Sequence, residues 1–110
     1  MSNQETIDRI KSEIENNKII LFMKGTPEAP QCGFSAATTE ILKAYQVPFK
    51  GVDVLSNPDI RATLPEYSNW PTFPQLFING QLVGGCDIVH ELRDNGELEK
   101  LIRSAYPGQA

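Results

Sequence analysis

Ile19-Ile20-Leu21-Phe22-Met23, then Lys24-Gly25-Thr26-Pro27-Glu28-Ala29-Pro30-Gln31, then Cys32-Gly33-Phe34-Ser35 is the stretch that decides the fold. The first run is continuously β-branched, aliphatic or aromatic, which predicts a buried strand from Lys18 to Met23. One Gly and two Pro mark the next eight residues as a loop. Phe34, Ala37, Ile41, Leu42 and Tyr45 then recur at helical spacing, so a helix is expected from Gly33 to about Tyr45. A thiol therefore falls at a helix N-terminus. Exposed N–H groups and the positive dipole end favour the thiolate there. The position that would carry the second sulfur of a Cys-x-x-Cys pair holds Ser35. A hydroxyl forms no disulfide, so this site can hold or exchange one sulfur bond but cannot close a local ring.

The same reading extends outward. Ile7, Ile10 and Ile14 predict an amphipathic helix from about Gln4 to Asn16, with Ser2 and Glu5 as a capping box. Val47 to Asp53 reads as a second strand. Asn57 caps a short helix with Pro58 at its first position, ending near Leu64-Pro65. Asn69-Trp70-Pro71-Thr72-Phe73-Pro74 is a stiff loop. Gln75 to Ile78 and Gln81 to Val83 flank Asn79-Gly80, the favoured pair for a tight hairpin. Gly84-Gly85 breaks the second of these strands, and Asp87 is expected to cap a helix running to about Arg93, closed by Asn95-Gly96. Glu97 to Tyr106 is a last helix, and residues 107–110 are tail.

The order α-β-α-β-α-β-β-α-α opens with a β-α-β unit, hence a parallel pair with a right-handed crossover. The later hairpin adds an antiparallel pair. The expected fold class is α/β: a four-stranded mixed sheet flanked by helices on both faces, in one domain spanning residues 1–110.

Composition bounds the function. At 110 residues the chain can bury its own core. A net charge of −4 without any basic run argues against a nucleic-acid surface. No apolar run approaches membrane-spanning length. The start Met1-Ser2-Asn3-Gln4-Glu5 lacks the basic and apolar regions of a signal peptide. Two cysteines in 110 residues make no disulfide scaffold, so a reducing compartment, the cytoplasm, is expected.

Four short words stand in register along the chain: Lys24-Gly25, Cys32-Gly33-Phe34-Ser35, Trp70-Pro71-Thr72-Phe73-Pro74-Gln75 and Gly84-Gly85-Cys86-Asp87. Together they resemble the monothiol glutaredoxins, the class named for its Cys-Gly-Phe-Ser site, in the short single-domain form. The resemblance implies a thioredoxin fold, a cis bond before Pro74, a glutathione site and a bridging [2Fe-2S] cluster. The implied glutathione contacts are Lys24, Cys32, Phe34, Arg61, Thr72 and Phe73, with Pro74, Gly85, Cys86 and Asp87. Cys32 is the implied catalytic thiol and the implied cluster ligand, shared with a second subunit.

The residue types suit that ligand. Lys24 and Arg61 are candidates for the glycine carboxylate of glutathione through charge-assisted bonds. The backbone of Phe73 can pair with the glutathione cysteine as an added strand. The helix start at Cys86-Asp87 offers N–H groups to the γ-glutamyl carboxylate, and Asp87 can take the α-amine. A [2Fe-2S] cluster takes four thiolates. One well-placed thiol per chain then implies a homodimer with two glutathiones when the cluster is bound, and a monomer without it. Half its ligands would be dissociable, which suits a carrier.

Blander readings stand beside these. Lys24 and Arg61 are ordinary solvated charges without the resemblance, and Trp70 is a packing residue. His90 is a helix histidine with no ligand role. Phe34 either faces the ligand or fills the core. Cys86 either lends its backbone to glutathione, the preferred reading, or forms a disulfide with Cys32.

Three functions follow as expectations: a carrier delivering clusters to apo iron-sulfur acceptor proteins; an oxidoreductase reducing protein–glutathione mixed disulfides through Cys32; and a cluster-bridged regulatory pair with a BolA-type partner. Ser35 and the long loop before Cys32 lean toward the first.

Overall fold

A computed structural model describes residues 3–107. The observed order is α1 (Asn3–Asn16), β1 (Ile19–Met23), α2 (Gly33–Ala44), β2 (Lys50–Asp53), α3 (Pro58–Ser68), β3 (Gln75–Ile78), β4 (Gln81–Gly84), α4 (Cys86–Asp94) and α5 (Glu97–Ala105). The sheet runs β2-β1-β3-β4. β1 pairs parallel with β2 and antiparallel with β3, and β3 pairs antiparallel with β4. The expected element order and mixed sheet are both present. The Ser2 cap and tail residues 108–110 lie outside the described residues.

Alternation along β1 makes two cores. Ile19, Leu21 and Met23 pack with Leu42 of α2, Val89 of α4, and Leu98 and Ile102 of α5. Ile20 and Phe22 point the other way, against Ile10 and Ile14 of α1 and Ile60 and Leu64 of α3. Phe22 meets Phe77 edge-on, centroids 5.7 Å apart. A strand buried on both faces must read as a continuous apolar run, as this one does.

Three boundaries differ from expectation. α3 does not stop at Leu64-Pro65: Pro65 lies inside it and the helix continues to Ser68. Proline at that position removes one N–H bond, to the carbonyl four residues earlier, but the next turn still forms. Asn69 then closes the helix in the left-handed region at φ 56°, and the Trp70 N–H donates to the Pro65 carbonyl. The cap of α4 is Gly85, with Asp87 in the first turn instead of at the cap. The second strand begins at Lys50, not Val47. Asn79 and Gly80 both have positive φ, 52° and 78°, as the tight hairpin requires.

This topology gathers the loops that matter. The C-terminal ends of β1, β2 and β4 and the start of β3 lie along one end of the sheet. The segment after β1 is clamped there. Gln31 donates its N–H to the Lys24 carbonyl at 2.9 Å, and Lys43 Nζ donates to the Pro27 carbonyl at 3.1 Å. Pro27 packs against Gly51 of β2, where an added Cβ would meet its ring at 2.5 Å.

Candidate functional site

Cys32 is the N-cap residue of α2, extended at φ −151°, and half-buried. Its thiol pKa is lowered. The backbone N–H of Ser35 contributes most; partial burial opposes it; the Phe34 N–H, the Ser35 hydroxyl and the Lys24 charge add to the lowering. The Cys32 side chain makes no conventional cap bond to the helix. The thiolate is thus favoured by several weak donors facing one sulfur.

Ser35 is fully buried, and its hydroxyl accepts the Lys24 N–H at 3.1 Å. The residue that replaces a second sulfur therefore joins the loop after β1 to the first turn of α2. On the other side of that loop, Asp53 Oδ1 accepts the N–H groups of Gly25 and Leu55, each at 2.9 Å. Its Oδ2 accepts the Ser56 hydroxyl at 3.0 Å. These donors, the Gly25 N–H foremost, hold the Asp53 pKa below the ordinary carboxylate range. Gly25 leads back to Lys24, and Leu55 and Ser56 lead into α3, which carries Arg61. Sequence reasoning missed Asp53 as a joint. Its signal was an acidic residue at a strand end, which is too common to single out.

Ahead of β3 the Phe73–Pro74 peptide is cis, as the resemblance implied. Gln75 is fully buried, and its Nε2 donates to the carbonyls of Trp70, at 2.9 Å, and Thr72, at 3.2 Å. It holds the loop of residues 70–74 from below and was also missed, although a glutamine opening an apolar strand is a visible signal. Gly85 sits under that loop: a Cβ there would stand 3.2 Å from Trp70 Nε1 and 3.3 Å from the Pro74 carbonyl oxygen. A side chain there would make Trp70 or the loop give by a few tenths of an ångström, and Trp70, read as a packing residue, packs against Gly85 and also lines the site.

These segments enclose a cavity of ≈ 670 Å³. Lys24, Cys32, Phe34, Arg61, Thr72 and Phe73 all line it, as do Pro74, Gly85, Cys86 and Asp87, so each of the ten expected residues opens onto one groove. Phe34 is 63% exposed, which excludes the reading that it fills the core. Lys24 and Arg61 put cationic groups on the groove. The start of α4 puts backbone N–H groups and Asp87 on it. Both cysteines are free thiols. Among the described residues, no three His, Cys, Asp or Glu side chains gather as a metal site, and no helix is long and apolar enough to cross a membrane.

Residues 19–83 match the glutaredoxin family model. The chain belongs to the glutaredoxin family. It is similar to glutaredoxin 4 of Haemophilus ducreyi, at 56% identity over 99 residues that cover 90% of this chain and 92% of that one. It is likewise 56% identical over 98 residues to glutaredoxin 4 of Escherichia coli, covering 89% and 85%. The solution structure of reduced poplar apo GrxS14 superposes with a TM-score of 0.76 at 46% identity, over 93% of this chain and 91% of that one. The fold is thus the thioredoxin fold of the glutaredoxins. With Ser35 three residues after Cys32, this glutaredoxin is of the monothiol type.

Two outcomes follow. Ser35→Ala removes one donor to Cys32 and the acceptor for Lys24. The Cys32 pKa, read from thiolate ultraviolet absorbance, rises but stays below the ordinary thiol value, because the Ser35 N–H remains. Asp53→Asn keeps an acceptor oxygen but no charge. A depressed folded-state carboxylate pKa adds stability above the unfolded value of about 3.9, and that stability is lost as pH falls through the folded value. The wild type therefore leads the variant most at neutral pH, and the gap in urea midpoint closes below about pH 4. A gap independent of pH contradicts the role given to the Asp53 charge.

Proposed function

We infer that this glutaredoxin binds glutathione in the groove and, as a homodimer, carries a [2Fe-2S] cluster to acceptor proteins. The observation that carries the reading is the meeting of all ten expected residues on one groove, with a thiolate-favoured Cys32 at a helix start. A zwitterionic tripeptide is complementary to that lining. Lys24 and Arg61 face its glycine carboxylate, and the Phe73 backbone pairs with its cysteine. The α4 N–H groups face the γ-glutamyl carboxylate, while Asp87 takes the amine.

The donor set fits the cluster. It needs four thiolates, and no cluster of three ligating side chains exists within the described residues. Cys32 from each of two protomers and the thiols of two bound glutathiones complete the set. Bound this way, the cluster is cargo. The chain's own part is to present one thiolate at the groove mouth, to hold glutathione beside it, and to offer no local second sulfur that would expel either. A BolA-type protein is the expected alternative partner across the same face, and the cytoplasm the expected compartment.

The lowered Cys32 pKa also favours the second reading, reduction of protein–glutathione mixed disulfides by Cys32 with external glutathione. Position 35 still weighs toward the carrier: the Ser35 hydroxyl is engaged with Lys24 and no thiol stands there to release a product.

Anaerobic reconstitution with iron and sulfide, followed by size exclusion with absorbance detection, tests this. A coloured dimer that requires glutathione and is lost in Cys32→Ser is expected. A colourless monomer under every condition removes the carrier reading and leaves thiol exchange. Lys24→Ala with Arg61→Ala is expected to weaken glutathione binding by calorimetry about ten-fold or more, the effect of losing charged hydrogen bonds.

A further inference from the structure

Cys32, Phe34, Cys86 and Asp87 line the groove and also a second concavity of ≈ 570 Å³. Gly33, Ala37 and His90 line only the second. The two spaces therefore meet at Cys32. The second lies over the seam between the first turns of α2 and α4, where Gly33 and Ala37 stand one turn apart, as do Cys86 and His90.

The lining of this second space differs in kind. Among the described residues no Lys or Arg borders it, whereas Lys24 and Arg61 border the groove. Phe34 leaves 63% of its surface exposed. A Cβ built on Gly33 would meet nothing within 4 Å, so that side is open. Ala37 contributes a methyl group. His90 is held in place: its Nδ1 stands 3.0 Å from the Cys86 carbonyl oxygen, which only accepts, so that nitrogen carries the proton.

We propose that the second concavity takes the sulfur substituent of a glutathione thioether, a conjugate whose sulfur carries a short uncharged alkyl or aryl group. The proposal rests on the glutathione reading of the groove. With the tripeptide lying there, its sulfur stands beside Cys32, at the junction of the two spaces. A group bonded to that sulfur continues past Cys32, against Phe34 and Ala37. Charge divides the ligand and the protein alike. The zwitterionic peptide meets Lys24, Arg61, Asp87 and the α4 N–H groups, and the uncharged substituent meets the space without Lys or Arg. Covering the Phe34 ring with an alkyl chain removes apolar surface of both from water.

No covalent step is involved. A thioether has no S–S bond to exchange, so Cys32 is not consumed. Its sulfur is also no thiolate, and cluster iron takes thiolates. A bound conjugate therefore fills the groove without serving as a cluster ligand. Conjugates formed when electrophiles capture glutathione would in this way compete with cluster loading.

The test is calorimetry on the apo protein with glutathione, S-methylglutathione and S-hexylglutathione. The hexyl thioether is expected to bind about ten-fold or more tightly than the methyl one, part of the roughly four-fold per methylene that complete burial gives. Ala37→Glu sets a carboxylate in the apolar space and is expected to cut that ratio to about two-fold or less. The ratio is the readout because it cancels any effect of the variant on folding or on the peptide part of the ligand. In the wild type, amide shifts that differ between the two thioethers are expected at Gly33, Ala37 and His90. Equal affinities for the two thioethers, with glutathione bound, overturn this proposal alone and leave the concavity to a partner chain. A hexyl gain that survives Ala37→Glu overturns the location, as do shift differences confined to other residues. Binding of none of the three ligands overturns the glutathione reading and this proposal with it.

Discussion

One hydrogen bond joins the parts on which the site depends: the Lys24 N–H donating to the buried hydroxyl of Ser35. It ties the end of the central strand to the first turn of the helix that bears Cys32. An oxygen is well suited here. It accepts one backbone proton and still turns its own hydrogen toward the thiolate. A sulfur at the same place would bond more weakly and would compete for Cys32 by disulfide formation. One substitution thus fixes the loop, favours the thiolate and removes the resolving thiol. The monothiol character is a packing fact as well as a chemical one.

The rest of the groove is built by tying loops to carboxylate and amide groups from below. Asp53 holds the segment bearing Lys24 and the approach to the helix bearing Arg61 with one carboxylate. Gln75 holds the Trp70–Pro74 loop by two carbonyls. Gly85 allows that loop to close onto the start of α4. The walls are therefore preformed, which lowers the ordering cost of binding a flexible tripeptide. Cations stand on the Lys24 and Arg61 segments, and N–H donors with one carboxylate stand at α4. The order of charge matches a ligand with carboxylates at both ends and an amine at one.

The element order and the two-faced strand were legible in the sequence, because Ile19–Met23 is apolar throughout while Ile10, Ile14, Leu98 and Ile102 keep helical spacing. The groove lining was legible through the family resemblance that the four motifs carry, which also implied Arg61, a residue outside all four. What escaped was of another kind. Asp53 and Gln75 act through bonds to backbone groups of the loops they hold, and the local signal of each, an acidic residue at a strand end and a glutamine opening an apolar strand, does not name those partners. α3 outran Pro65 because a helix tolerates one lost N–H bond when the flanking turns are packed. The cap of α4 fell on Gly85, whose backbone passes close beneath Trp70, a contact seen only once the loop is folded. His90 read as an ordinary helix residue, and its Nδ1 lies 3.0 Å from the Cys86 carbonyl oxygen one turn back.

The central claim is that this groove is a glutathione site, and amide chemical shifts test it most directly. Titrating the isotope-labelled protein with reduced glutathione should move the Phe73, Gly85, Cys86 and Asp87 amides together, along one saturating curve. The Lys24–Gly25 and Cys32–Ser35 amides should follow the same curve. Amides of α1 and the Asn79–Gly80 turn should stay fixed. Shifts absent from the groove, or confined to another face, contradict the account.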